Sequence, residues 1–214
     1  MTPAERHEAI ITAALQVMIT KGLASTTVRD VAERMGTSSG LIHHYFVSMD
    51  DLLAAAFERA AGQDLQGIAA SMAAGDGALA RLRIFFGNYT RAEQDWAFQL
   101  WLDAWAEAGR RPAVRATSQR LNIAWQQLLV EAIRAGIAEG VLRCPDPEAA
   151  GWRILSLLDG LALQAVAHRV SAFDRDDVVN WSVAHAEIEL GLRPGMLRTG
   201  NETGRNQPKY APEG

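Results

Sequence analysis

The first residues with an evident chemical use are small polar side chains and imidazoles on one short helix. Within TSSGLIHHYF (37–46) the apolar side chains fall on one side, at the spacing of a helix packed into a small core. They are Leu41, Ile42, Tyr45 and Phe46. The opposite side carries Ser39, Gly40, His43 and His44. Hydroxyls, backbone N–H groups and imidazoles at the start of a helix suit contacts with bases and phosphates in a major groove. The alternative is a helical hairpin whose serines and histidines are simply solvated.

A second chemical grouping is aromatic, because all six tryptophans follow position 95. Trp101 and Trp105 are one helical turn apart, with polar residues among the apolar neighbours. The predicted ligand-contacting set is Phe85, Asn88, Tyr89, Gln99, Trp101, Asp103, Trp105, Trp125, Asp159 and Gln164. Aromatic faces combined with a carboxylate suit a cation such as a quaternary amine or a polyamine. The alternatives are core packing for the tryptophans, a solvated helix edge for Asp103 and a structural role near a dimer axis for Asp159.

The sequence contains no arrangement that predicts catalysis, a metal site or a cofactor. It lacks Glu-x-x-His and His-x-x-x-His pairs, a P-loop and a G-x-S-x-G stretch. The five histidines are scattered, and the single cysteine, Cys144, excludes an internal disulfide and a cysteine metal cage. We therefore expect a binding protein rather than an enzyme.

Composition predicts a folded protein with little general affinity for nucleic acid. The 214 residues are 49% hydrophobic and carry a net charge of −4. The cations of residues 1–50 are fewer than the acids: Arg6, Lys21, Arg29 and Arg34 against Glu5, Glu8, Asp30, Glu33 and Asp50. No stretch approaches the ~18 uninterrupted apolar residues of a membrane span, and the amino terminus opens a helix rather than a signal peptide. We expect a soluble cytoplasmic protein with no membrane partner.

Helix-start and helix-stop residues position the polar helix. Thr27 and Asp30 have the spacing of a capping box, which begins a short amphipathic helix ending near Met35. Gly36 follows where a left-handed residue ends a helix, and Thr37 or Ser38 can cap the next one. The turn is therefore only three to four residues long, and the two helices must cross steeply, as in a helix-turn-helix unit.

Helical periodicity continues through the remaining chain without strand-like alternation, which predicts an all-α fold. The first helix begins at Thr2 and Pro3 and ends before Gly22. Later helices are predicted from Ser48 to a break near Gly75, at 79–92, at 95–108, from Pro112 to near Gly140, at 147–168 and at 174–190. The predicted domains are a three-helix DNA-binding domain at 1–47, a helical ligand-binding and dimerisation domain at 48–192 and a disordered tail at 193–214.

The last two predicted helices are apolar on two faces, which requires a second packing partner. Two such helices meeting their symmetry mates would form a four-helix interface, so we expect a homodimer. The predicted interface residues are Ile154, Leu158, Leu161, Ala165, Val178, Trp181, His185 and Ile188.

The run TTVRDVAERMGTSSGLIHHYFVSMDDLL (26–53) resembles the N-terminal domain of the TetR family of bacterial transcriptional regulators. The HHYF ending and the tryptophan-rich remainder are most similar to the BetI-like branch, whose best-known member answers to choline. The resemblance implies a dimeric regulator, more a repressor than an activator, that binds a double-stranded DNA operator. A small-molecule effector would release it by tilting the fourth helix. A helical adaptor without sequence-specific DNA reading is the alternative.

The resemblance also implies which residues face DNA. Ser38, Ser39, Gly40, Leu41, His43, His44 and Tyr45 would form or orient the reading helix, with Thr26, Thr27 and Arg29 contacting backbone from the helix before it. Two positions depart from the family pattern. His43 stands where a tyrosine is usual, and Met49 stands where a lysine is usual. Both family positions typically touch phosphates, and a neutral Met49 cannot neutralise one.

Overall fold

The computed structural model describes residues 1–88, 95–167 and 175–198, and every regular element in these ranges is an α-helix. The helices are α1 (Pro3–Lys21), α2 (Val28–Arg34), α3 (Ser39–Tyr45), α4 (Met49–Ala73), α5 (Gly77–Asn88), α6 (Asp95–Glu107), α7 (Pro112–Ala138), α8 (Pro147–Ala167) and α9 (Arg175–Glu189). The predicted all-α class is confirmed. Within the described ranges, no helix has both the length and the apolar character that crossing a bilayer requires.

Capping residues set the boundaries of the first helices. The Thr27 side chain accepts a hydrogen bond from the Asp30 N–H at 3.2 Å, and Asp30 Oδ2 accepts one from the Thr27 N–H at 3.0 Å. This is the predicted capping box of α2. Gly36 has a φ of +63°, the left-handed conformation predicted for the residue that ends the helix. Ser38 occupies the N-cap position of α3, although its side chain makes no capping hydrogen bond.

The three N-terminal helices pack on α4, α6 and α7 around one hydrophobic cluster. Its fully buried members include Ile10 on α1 and Phe57 on α4. The same cluster reaches Leu100 on α6 and Val114 on α7. The core of the N-terminal unit therefore continues into the helices behind it, and the domain division at residue 47 stays a prediction.

A second cluster joins α5, α7, α8 and α9, and it contains three residues that were predicted to form the dimer interface. Ile154 and Leu158 are fully buried, and Val178 is 3% exposed, within the protomer's own core. That part of the prediction was wrong because α8 packs against both α7 and α9, so that neighbours in the same chain cover these residues. Trp181 and Ile188 remain exposed, while the others, Leu161, Ala165 and His185, are half-buried.

The ordered chain extends beyond the predicted start of the tail at residue 193. Glu187, itself 3% exposed, accepts hydrogen bonds from the N–H groups of Gly195 at 2.9 Å and Leu197 at 2.7 Å. Arg83 on α5 donates to the Met196 carbonyl at 2.7 Å. Leu197 is buried in the second cluster. Residues 193–198 are therefore part of the packed structure, because a buried carboxylate holds them there, and the rest of the predicted tail lies outside the described residues.

Candidate functional site

The helix α3 is anchored on one side and exposed on the other. Ile42 and Phe46 are buried at 1% and 7% exposure and hold the helix on the core. Leu41 and Tyr45 are half-buried beside them. The exposed residues are Ser38, Ser39, Gly40, His43 and His44. The structure therefore leaves the small polar residues of α3 accessible to a groove, together with the backbone N–H groups of its first turn.

Of the three predicted backbone contacts near α2, one is wrong. Thr26 is only 2% exposed, and its hydroxyl donates to the Gly22 carbonyl at 2.8 Å. It therefore holds the turn before α2 together and cannot reach DNA. Thr27 and Arg29 are exposed, and Thr27 has the additional task of capping α2.

Three of the acidic residues within 1–50 have neighbouring partners. Lys21 forms an ion pair with Asp30, and Arg59 forms one with Glu8. Asp50 at the start of α4 accepts hydrogen bonds from the first N–H groups of α7. Among the described contacts, only the Glu8–Arg59 pair adds a cation from outside residues 1–50, so this part of the chain keeps no basic surplus, and we expect modest non-specific affinity for DNA.

An open cavity of about 600 Å³ lies among the helices behind the N-terminal unit. It is lined by Asp64 on α4, Asn88 on α5, Ala97, Phe98, Trp101, Leu102 and Trp105 on α6, Asn122 and Trp125 on α7, and Leu155, Asp159 and Leu163 on α8. The combination of aromatic walls with few polar groups is typical of small-molecule sites. The cavity is therefore the candidate effector site.

Half of the predicted ligand-contacting residues line this cavity. They are Asn88, Trp101, Trp105, Trp125 and Asp159. The Trp101 and Trp105 rings are tilted against each other with centroids 5.5 Å apart, and the edge of Trp101 also meets Phe57 on α4 at 4.9 Å. Trp105 is 37% exposed, which puts it toward solvent, whereas Trp125 is buried. Tyr89 lies outside the described residues.

Four predicted ligand residues do not line the cavity. Phe85 is fully buried in the second cluster, where its ring meets Trp125 edge-on at 6.0 Å and supports the wall from behind. Gln164 is exposed on α8. Gln99 donates to Asp103 at 3.0 Å, and Asp103 accepts a second hydrogen bond from the Leu23 N–H. Helix geometry explains these errors, because each polar residue faces away from the lining stripe of its helix.

Burial raises the pKa of Asp159 to about 7. Among the residues that the structure describes, no group donates a hydrogen bond to it and no cation faces it. Asp64 is the other ionisable residue of the described lining. A carboxylate with such a pKa is about half charged at neutral pH, and a bound positive charge would favour its ionised form.

The lining residues that sequence reasoning missed are mostly apolar and are found by spacing alone. On α8, Leu155 and Leu163 lie four residues on either side of Asp159 and therefore share its face. Asn122 lies one turn before Trp125 in the same way. No comparable signal identifies Asp64, because α4 is long and only its tertiary packing against α5, α6 and α7 brings that residue to the cavity.

No group of three or more His, Cys, Asp or Glu side chains with metal-binding geometry occurs in the described parts of the chain.

Comparison with known proteins identifies both halves of the chain. The family described as "Bacterial regulatory proteins, tetR family" matches residues 10–56, and "BetI-type transcriptional repressor, C-terminal" matches residues 78–191. A transcriptional regulator BetI from Chromohalobacter salexigens is 30% identical over 77% of this chain and 80% of its own length. Another from Stenotrophomonas maltophilia is 35% identical over 54% of this chain and 63% of its own length.

Solved structures agree with this assignment. A transcriptional regulator from Saccharomonospora viridis, in complex with choline, aligns with a TM-score of 0.78 at 24% identity over 87% of this chain and 98% of its own. One from Pseudomonas aeruginosa aligns with a TM-score of 0.75 at 26% identity, covering 87% and 91%. Members of this family bind operator DNA and small-molecule effectors and act as dimers. With a helix-turn-helix unit in front of a helical domain that encloses a cavity, the chain belongs to the TetR family of bacterial transcriptional regulators and has the C-terminal domain of BetI-type repressors.

Proposed function

We propose that this regulator is a dimeric repressor released from its operator when an organic cation, a quaternary amine or a polyamine, binds in the cavity. The observation that carries the proposal is Asp159, a half-buried carboxylate that opens onto the cavity and has no hydrogen-bond donor among the described residues. Removing a carboxylate from water costs free energy unless a hydrogen-bond donor or a cation compensates for the lost hydration. A ligand cation supplies that partner.

The aromatic walls support a cation of low hydration. Trp101, Trp105 and Trp125 lie on two helices around the cavity, and indole faces attract a desolvated ammonium group. Asn88 and Asn122 add amide groups that can bind a hydroxyl or a second amine. The Saccharomonospora viridis regulator was solved with choline, a ligand of this class.

The exposed residues of α3 support operator reading. Ser39, His43 and His44 are accessible at one end of the protomer, and in a two-fold dimer the two α3 helices would enter successive major grooves. Arg29 is exposed on α2 and would neutralise a phosphate. In the C-terminal helix α9, Trp181 and Ile188 are exposed and leave apolar surface that a second copy of the chain can cover.

Isothermal titration of the full chain with choline and with its neutral isostere 3,3-dimethylbutan-1-ol tests the cation. The two molecules have almost the same shape, so their difference in affinity isolates the charge. We expect choline to bind at least about tenfold more tightly. Asp159→Asn should weaken choline by about the same factor and leave the isostere unchanged, because an amide keeps the shape but not the charge.

The same titration has a pH signature. Choline binding should favour the ionised form of Asp159, so that protons are released on binding near pH 7 and the affinity rises from pH 6 to pH 8. Measurements in buffers of different ionisation enthalpy report the proton count. Equal affinity for choline and its isostere, or for the wild type and Asp159→Asn, would contradict the proposal. In that case spermidine is the second cation to titrate.

A further inference from the structure

The carboxylate of Asp103 joins the cavity helix α6 to the DNA-binding unit, which is formed by helices α1–α3. Its Oδ2 accepts a hydrogen bond from the backbone N–H of Leu23 at 2.9 Å, and its Oδ1 accepts one from Gln99 Nε2 at 3.0 Å. Leu23 is fully buried in the turn between α1 and α2. The bond therefore ties α6 to the segment that leads directly into the helix-turn-helix pair.

The α1–α2 turn is shaped to receive this carboxylate. Gly22 has a φ of +84°, and a Cβ added to it would lie 3.2 Å from Asp103 Oδ2. A side chain at this position would strain the backbone and crowd the oxygen. The Gly22 carbonyl in turn accepts the hydroxyl hydrogen of Thr26 at 2.8 Å. Thr26, which sequence reasoning assigned to DNA, thus stabilises the docking point of Asp103.

Asp103 sits on the helix that contributes most to the cavity. Five of the twelve lining residues belong to α6: Ala97, Phe98, Trp101, Leu102 and Trp105. Asp103 lies between the last two in sequence but faces the α1–α2 turn. A single helix moves as a unit, so a ligand that displaces the lining side chains displaces the carboxylate as well.

A second carboxylate ties the start of α4, directly after the DNA-binding unit, to a different wall of the cavity. Asp50 accepts hydrogen bonds from the N–H groups of Ala113 at 2.9 Å and Val114 at 3.4 Å, at the start of α7. α7 lines the cavity through Asn122 and Trp125. The segment that carries α2 and α3 is therefore tied at both ends, at Leu23 to α6 and at Asp50 to α7, in addition to the packing of α1 on α4.

We propose that Asp103 is the positioning residue that transmits occupancy of the cavity to the DNA-binding unit. A ligand that shifts α6 relative to α7 moves Leu23 relative to Asp50, and the pair α2–α3 turns between these two attachment points. The inference rests on the proposed ligand response of the cavity. It assigns the transmission to a carboxylate on α6, in addition to any tilt of α4.

The first test needs no ligand. Ala97→Trp adds a large side chain to the cavity from α6 and should lower the affinity for DNA flanking the regulator's own gene about tenfold. In an Asp103→Ala background, the same substitution should change DNA affinity less than about twofold. Asp103→Asn keeps an acceptor oxygen for the Leu23 N–H and should restore most of the effect. Fluorescence anisotropy measures the six affinities, with and without Ala97→Trp in the native, Asp103→Ala and Asp103→Asn chains.

The second test uses choline as the probe. Choline should weaken DNA binding of the wild type about tenfold, but that of Asp103→Ala less than about twofold. Asp103→Ala should still bind choline within about threefold of the wild type in calorimetry without DNA, because Asp103 does not line the cavity. The matched control is Glu107→Ala. Glu107 is one turn further along α6, and its ion pairs with Arg110 and Arg111 do not reach the DNA-binding unit.

Three results would overturn the inference. These are an unchanged response in Asp103→Ala, an equal loss of response in Glu107→Ala, and no effect of Ala97→Trp on DNA affinity in the otherwise native chain. Failure of the wild type to bind either choline or spermidine would instead refute the cation proposal. The Ala97→Trp comparison separates the two, since it involves no ligand.

Discussion

Carboxylates in the DNA-binding unit and in the cavity are held in opposite ways. Asp30 on α2 is paired with Lys21 and with Thr27, and the Lys21 ammonium and the Thr27 donors lower the pKa of Asp30 to about 2. Asp159 in the cavity has no described donor, and burial raises its pKa to about 7. The Asp30 carboxylate thus has hydrogen-bond and ion-pair partners, whereas the Asp159 carboxylate has none among the described residues.

The opposite pKa shifts of Asp30 and Asp159 distinguish a carboxylate that stabilises the fold from one that is available to bind a ligand. A carboxylate with a lowered pKa stabilises the fold above the unfolded pKa, and this stabilisation is lost as the pH falls toward 2. A carboxylate with a raised pKa acts in the other direction. The unfolded chain loses the proton near pH 4 and the folded chain near pH 7, so stability falls as the pH rises between these values. The cavity therefore gives up stability that a bound cation would restore.

A substitution on the exposed face of α3 should have the largest effect on DNA binding with the least effect on stability. We expect Ser39→Glu to reduce affinity for operator DNA by more than about hundredfold, because it places a negative charge against the phosphates and bases. The melting temperature should stay within about 2 °C of the wild type, since Ser39 is exposed. Anisotropy in excess competitor DNA and thermal melts measure the two quantities. Tight DNA binding by this variant would mean that α3 is not the reading helix, and would favour an adaptor.

In the cavity, removing the charge should stabilise the protein. Asp159→Asn should raise the free energy of unfolding by about 2 kcal/mol at pH 8. This is roughly half of what a rise in the pKa of Asp159 from about 4 to about 7 implies, because the cavity is open to solvent. At pH 4 the variant and the wild type should differ little. Urea unfolding at the two pH values makes the measurement. A variant less stable than the wild type at pH 8 would show that Asp159 is a structural residue, contrary to the comparison.

In the DNA-binding unit, removing a polar group should lower the free energy of unfolding rather than raise it. Thr27→Ala removes the side chain that caps α2 and should lower the free energy of unfolding by about 1 kcal/mol. Thr27→Ser retains the hydroxyl and serves as the control. If Thr27→Ala unfolded at the same urea concentration as the wild type, the capping box would contribute nothing to the fold.

The smallest effect concerns the start of α4. Met49→Lys should raise operator affinity about threefold and steepen the salt dependence of log K by about one per protomer, as expected for one added phosphate contact. Met49→Gln, which is polar and uncharged, is the control. An unchanged salt slope would indicate that the residue does not face the DNA backbone.

The helix-turn-helix region could be predicted from the sequence better than the cavity, because its interactions join residues that are close in the chain. Thr27, Asp30 and Gly36 act within a few residues of one another, so their spacing was sufficient to predict the turn. The cavity is assembled from five helices, and proximity in sequence was misleading there. Gln99 and Asp103 flank Trp101, yet the lining stripe at i, i+3, i+4 and i+7 on α6 excludes both. Thr26 and Thr27 are neighbours of the same residue type, so the sequence does not distinguish them. Only tertiary packing shows that Thr26 is buried.

The carboxyl-terminal segment held by Glu187 has a practical consequence for the design of expression clones. A stop codon after Leu192 would remove both N–H donors of Glu187 and the carbonyl that Arg83 binds, and it would uncover the space occupied by Leu197. A chain shortened there should melt earlier and expose apolar surface to dyes. Purification tags and fluorescent fusions are therefore best attached beyond Arg198, where none of these contacts is interrupted.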